Sequence, residues 1–253
     1  MPAATFARFV LLEARRSGLP WLALACIALG AGLAGFLSEV ALTESRALQA
    51  AVVAAVLRAS AVFLIATHVA SSTLREMNDK GLEIMLSLPL PRSTQYLGRL
   101  AGFGILGILL AAAFSAPLLL WAPPGAVALW GISLASECAL VAAAALFFAT
   151  ALAQLVPTIA ATAGLYLLAR SIAAIQAIAS GPLAEPSLAG QAARGIVGAI
   201  ALVLPQLDSV TRTEWLLYGP PPGGAYAAAL GGLALYALLL IAAGLFDFHR
   251  KSL

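Results

Sequence analysis

Polar and apolar positions in this chain fall into long blocks rather than the short periods of a soluble fold. Six stretches, 19–37, 53–73, 100–121, 127–153, 158–179 and 225–246, are almost continuously apolar. Each reaches about 20 residues, the length a helix needs to cross a hydrocarbon core of about 30 Å. The runs are rich in Ala and Leu and lack the alternation of a barrel strand, so six transmembrane helices are predicted. The first run is longer than the roughly 7–15-residue core of a signal peptide and many similar runs follow, so it reads as an uncleaved span.

The blocks between the spans differ in character. In 1–18, Phe6, Phe9 and Val10 fall on one helical side and Arg8, Arg15 and Arg16 largely elsewhere. That suits a helix on the membrane surface, with a plain basic anchor as the alternative. In 74–99, Leu74, Met77, Leu82, Met85, Leu86 and Leu88 share one helical side, and Arg75, Glu76, Asp79, Lys80 and Glu83 crowd the other. Glu76 with Lys80, and Arg75 with Asp79, stand at the i,i+4 spacing that supports a helix. Pro89 and Pro91 end that helix, and Ser93 can cap the next. The stretch 190–207 holds an apolar run of about ten residues, too short to cross a bilayer. It reads as a re-entrant or interfacial helix ended near Pro205, or else as an ordered loop, with GPPPGG at 219–224 as a stiff turn.

The expected fold is therefore an all-α polytopic membrane protein forming one transmembrane domain over 1–253. Its parts are an interfacial helix (1–18), two spans (19–73), a charged segment (74–99), three spans (100–179), an outer loop (180–224), the sixth span (225–246) and a tail (247–253). Gly98 and Gly102 form a small-xxx-small pair that permits close helix packing.

Composition agrees: 62% of residues are hydrophobic and 10% charged, and mean hydropathy is +0.99, which excludes a soluble surface. Basic residues sort by side. Arg8, Arg15, Arg16, Arg75, Lys80, Arg92, Arg99, Arg250 and Lys251 fall on one side of the predicted spans, and only Arg46, Arg194 and Arg212 on the other. The positive-inside bias then places both termini and 74–99 in the cytoplasm, as expected for a bacterial inner membrane protein. The net charge of +3 thus reports topology rather than a nucleic-acid surface. Cys26 and Cys138 lie inside apolar runs and read as small hydrophobes.

Catalytic motifs are wanting. The only lysines, Lys80 and Lys251, lie in DKG and RKS, so no phosphate-cradling G-x-x-x-x-G-K-[ST] loop exists. His68 and His249 have no neighbours at zinc-ligand spacing, and no G-x-S-x-G accompanies them. The chain is expected not to be an enzyme. Ionisable residues inside spans remain candidates for function. Glu137 and Arg170 lie at matching depth, about 14–15 Å inside their spans, so they either pair or face water or a partner separately. Arg58 is read as an anchor that snorkels to the outer surface. His68 suits a buried, hydrogen-bonded role as well as a proton-linked one.

The charges of 74–99 nearly cancel, whereas a lipid-binding face is mostly basic. A mixed-sign face suits contact with another protein, although a solvated helix would carry one too. The series EMNDKGLEIMLSLPLPRSTQYLGRL resembles the cytoplasmic segment of ABC transporter permeases of the type-2 exporter class. The matching positions are Glu76, Asp79, Lys80, Gly81, Glu83, Leu86, Pro89, Arg92, Ser93, Tyr96, Leu97, Gly98 and Arg99, the last an Arg where Lys is frequent. LPQLDSVTRTEWLLYG, at 204–219, is also similar to the corresponding part of bacterial members.

The resemblance implies a permease subunit that forms a pathway with a second copy or a homologous permease. It implies docking on separate ATPase subunits through a coupling helix that includes Arg75, Glu76, Asp79, Lys80, Gly81, Glu83, Pro89 and Arg92. ATP and Mg would belong to the ATPase, with no cofactor in this chain. Competing readings are an ion-coupled carrier using Glu137, Arg170 and His68, and a non-transporting assembly factor.

Overall fold

A computed structural model describes residues 2–40, 45–79, 91–180, 188–212, 215–216, 219 and 224–250. Among these residues the chain is helical, with no strand. Eight α-helices are defined: α1 (Pro2–Arg16), α2 (Leu19–Val40), α3 (Ser45–Asn78), α4 (Arg92–Ser115), α5 (Pro124–Leu152), α6 (Leu155–Ala179), α7 (Leu188–Val203) and α8 (Ala225–Arg250). Short 3-10 turns follow α4 at Ala116–Leu120 and α7 at Leu207–Ser209. Six helices, α2 to α6 and α8, are long and apolar enough to cross a membrane, which marks a multi-pass membrane protein. α7, at 16 residues, extends only about 24 Å and falls short of a full crossing.

The helices overrun the apolar runs that announce them. α3 is 34 residues, about 51 Å, and continues without a break through Leu74–Asn78. Arg75 and Glu76 therefore ride on the last turn of α3, and the charged segment begins as a continuation of that helix. The polar residues there prolong the helix because each added turn satisfies its own backbone groups, whether or not lipid surrounds it. On the described part of that segment Leu74 is buried and Arg75 and Asp79 are exposed, as expected, whereas Glu76 and Met77 are both half-buried. α4 starts directly after Pro91, which occupies the N-cap position; Ser93 lies within the first turn and makes no cap. Lys80, Gly81, Glu83, Leu86 and Pro89 lie outside the described residues, as do most of 180–187 and the 219–224 turn.

α5 is the central post. It touches α3, α4, α6 and α8, and Leu134, Cys138, Ala142, Ala145 and Ala149 on it are fully buried. Small residues set the spacing: a Cβ added at Gly107 of α4 would lie 2.9 Å from Cys138 Cβ, so the two helices meet where that side chain is missing.

α1 lies along α4 by the same device. A Cβ at Gly102 would stand 2.8 Å from Val10 Cβ and 3.0 Å from Ala7 Cα, so α1 rests on the glycine itself. Phe6, Ala7, Val10 and Ala14 are buried in this contact, while Phe9 and Leu12 point outward. The expected grouping of Phe6, Phe9 and Val10 on one side is thus divided between the bundle and the exterior. Gly18, at φ +81°, turns the chain from α1 into α2, a backbone region open to glycine without strain.

α5 ends on Ala153 in the left-handed region (φ 53°), and Gln154 is extended before α6 begins. This tight reversal sets α5 and α6 antiparallel at the same end of the bundle as the last turn of α3, where Ser71, Arg75, Asp79, Ala153 and Gln154 share one groove of about 500 Å³.

Candidate functional site

Two polar constellations stand out from the apolar packing. The first lies midway along the bundle. On α3, Ala54, Arg58, Ala61 and Ile65 follow the i, i+4, i+7 rhythm of a buried stripe, and the two alanines leave room for the guanidinium between them. On α5, Trp130, Ser133 and Glu137 share a stripe, and Tyr166 and Arg170 are one turn apart on α6. α3, α5 and α6 bring these stripes together.

Arg58 is 2% exposed and Glu137 is fully buried. Arg58 Nη1 donates to Glu137 Oε2 at 2.5 Å, and its Nη2 donates to Ser133 Oγ at 2.9 Å. The guanidinium carbon also lies 5.0 Å from the centre of the Trp130 ring, a cation–π contact. Tyr166 Oη donates to the other carboxylate oxygen, Oε1, at 2.8 Å. Arg170 Nη1 stands 3.5 Å from that same oxygen, a charge contact without hydrogen-bond geometry. The pairing of Glu137 with Arg170 considered above is therefore present as the weaker contact of a larger cluster. Arg58 as a snorkelling anchor is corrected: its head turns inward to a carboxylate. Charges removed from water need such partners, because one alone in low dielectric costs several kcal/mol.

His68 belongs to a different region. It sits about 15 Å further along α3 than Arg58. Its ring meets Phe103 edge-on at 6.1 Å, its Nε2 has no hydrogen-bond partner, and it lines a cavity of about 220 Å³ with Thr67, Ser71 and Leu155.

The second constellation gathers at the end of the bundle where α3 stops and α4 starts. Glu13 of α1 accepts from Ser72 Oγ at 2.7 Å and from the Arg75 guanidinium. Glu76 of α3 pairs with Arg99 of α4. Two ion pairs thus tie α1 to α3 and α3 to α4, where the sequence suggested i,i+4 pairs within one helix. Arg75 remains largely exposed despite its bond, whereas Glu76 and Arg99 are mostly covered. Asp79 is exposed and Arg92 half-buried. The Tyr96 ring packs on Phe248 at 5.9 Å, which draws the last turn of α8 to the same end.

Glu13 and Arg99 were missed as site residues. Glu13 was legible only as the lone acid in an otherwise basic helix, and Arg99 only as part of the motif. Charge exchange tests the second tie. Glu76→Arg and Arg99→Glu alone should each lower thermal stability by about 1–3 kcal/mol, and the double exchange should restore most of it, as read by unfolding of the purified protein.

Among the described residues no group of three or more His, Cys, Asp and Glu side chains is placed to hold a metal ion. No protein family model matches the chain, and no curated protein aligns with it significantly.

Proposed function

We propose that this chain is the membrane-spanning permease subunit of an ATP-driven transporter of the ABC type-2 exporter class. It would work as a pair with itself or a homologous permease and be driven by separate ATPase subunits. The observation that carries this reading is the series from Glu76 to Arg99, whose two ends are the charged turn of α3 and the first turns of α4. Both termini, this series and α1 would lie in the cytoplasm, with α1 along the membrane surface and α7 re-entrant or interfacial on the outer side.

The mechanism follows from how that end is tied. An ATPase docked on residues 80–90 would push on Asp79 and Pro91, the flanking residues of α3 and α4. The Glu76–Arg99 pair makes these two helix ends one lever, and the Glu13–Arg75 pair extends it to α1. Further in, Gly107 against Cys138 couples α4 closely to the central α5, so a tilt of the lever would reach the spans. The groove beside Asp79 offers a concave seat for a partner's side chain. ATP and Mg would be bound and turned over in the partner, and this chain would perform no catalysis.

An ion-coupled carrier would instead need a carboxylate free to load and release its ion. Glu137 is engaged by Arg58 and Tyr166 on both oxygens, and His68 is too distant to relay a proton to it, so the geometry favours the permease reading. Asp79→Arg with Glu83→Arg is the test, since both follow Arg75 and Glu76 in the sequence. An ATPase that co-purifies with the unaltered chain should be lost from this variant while the membrane subunit stays folded; its full retention refutes docking on this segment.

A further inference from the structure

The mid-bundle cluster is not neutral. Two guanidinium groups, Arg58 and Arg170, face one carboxylate, Glu137, leaving a formal surplus of one positive charge. The two cations are held differently. Arg58 is sealed inside and bonded to both Glu137 and Ser133. Arg170 is 36% exposed on its side chain, although its Nη1, which faces Glu137, is itself buried. Glu137 brings a single negative charge to both cations: Oε2 accepts from Arg58, while Oε1 accepts from Tyr166 and faces Arg170.

Nor does Arg170 escape to the membrane surface. Its nitrogen remains level with the buried carboxylate, about 14 Å short of the end of α6. A surplus cation held at that depth with its side chain partly uncovered calls for an anion from outside the chain. The outward face of α6 says what kind. Leu167 and Ile178, on either side of Arg170 along the helix, are 62% and 77% exposed, with the hydroxyl of Ser171 beside them already bonded to the Leu167 carbonyl. An anionic group arriving here would be attached to an apolar body.

We propose that Arg170 is an anion-recognition point within the membrane, receiving the phosphate or carboxylate head of an amphiphile that lies against α6. Glu137 holds the guanidinium at this depth without offsetting both cations, and Arg58 fixes the position of Glu137. A bound head group would neutralise the surplus charge. The site belongs to this chain alone, so it is testable without any ATPase and stands or falls apart from the coupling reading.

The test uses the full chain in nanodiscs of phosphatidylcholine, with dodecyl phosphate as probe and uncharged dodecanol as control. The unaltered protein should bind dodecyl phosphate about ten-fold or more tightly than dodecanol, and Arg170→Gln should lose that preference while Arg170→Lys keeps part of it. A folded Arg170→Gln protein that retains the preference overturns the proposal, as does equal binding of the two probes by the unaltered protein. If Arg170→Gln does not fold, the probe ratio in the unaltered chain and in Arg170→Lys decides by the same criterion. Nanodiscs containing phosphatidylglycerol separate the two sources of the anion: competition with the probe identifies a lipid head group, and its absence alongside probe binding identifies a free amphiphile.

Discussion

Glu137→Ala should be the most damaging single substitution in this chain. It removes the only carboxylate of the mid-bundle cluster and leaves Arg58, buried to 2% exposure, with a hydroxyl and an aromatic face but no counter-charge. Breaking a buried ion pair on one side costs about 3–5 kcal/mol. Marginal stability for a whole domain is about 5–15 kcal/mol, so much of the protein should fail to accumulate in folded form. Removing both charges is different in kind. Arg58→Met with Glu137→Leu should recover most of the loss, because the desolvation cost of each charge disappears with it. Size-exclusion profiles and thermal unfolding of the purified chains measure both. A double variant as damaged as Glu137→Ala would mean that the polar cluster supplies more than charge balance.

Gly102→Val ranks second. Its new Cβ would stand 2.8 Å from Val10 Cβ, where side-chain rotation brings little relief, and 3.0 and 3.1 Å from the backbone Cα and carbonyl oxygen of Ala7. Backbone cannot move aside as a long side chain can, so α1 must lift from α4. Overpacking of this kind costs about 1–3 kcal/mol, and here the cost falls on one interface. Phe6, Ala7, Val10 and Ala14 should become accessible together, while the six spans remain folded. A cysteine placed at Ala7 and probed with a maleimide reports it: slow labelling in the parent, rapid labelling in the Gly102→Val background. Gly104→Val is the control, since open space surrounds its Cβ position.

The number of spans was legible because the apolar run length that lipid demands is a strong signal, and each of the six runs lies within a helix or its terminal turn. Helix ends were not legible, since backbone hydrogen bonding continues into polar sequence. That error propagated to Arg58. Measured from the start of its apolar run at 53, Arg58 lies near the end of its span. Measured from the start of α3 at Ser45, it lies about 20 Å in, at the level of Glu137 from the start of α5. The flanking Ala54 and Ala61 were the available clue, a gap of small residues shaped for a large side chain.

The depth match of Glu137 and Arg170 was readable, but the stronger partner of Glu137 came from a different helix. Contacts between helices depend on their order and rotation in the bundle, which periodicity does not encode. For the same reason Arg75 reached across to Glu13 rather than along its own helix to Asp79. The charged end was visible in the sequence as a gathering of charge, while the ion pairs that join it appear only when α1, α3 and α4 are assembled.

The central claim is that residues 80–90 meet an ATPase. A photo-crosslinking amino acid at position 83, in the full chain expressed in its native membrane, tests it most directly. ATPase docking predicts one dominant adduct with a protein that carries a G-x-x-x-x-G-K-[ST] loop, diminished when Asp79→Arg is added. Crosslinks confined to lipid or to proteins without such a loop would contradict it.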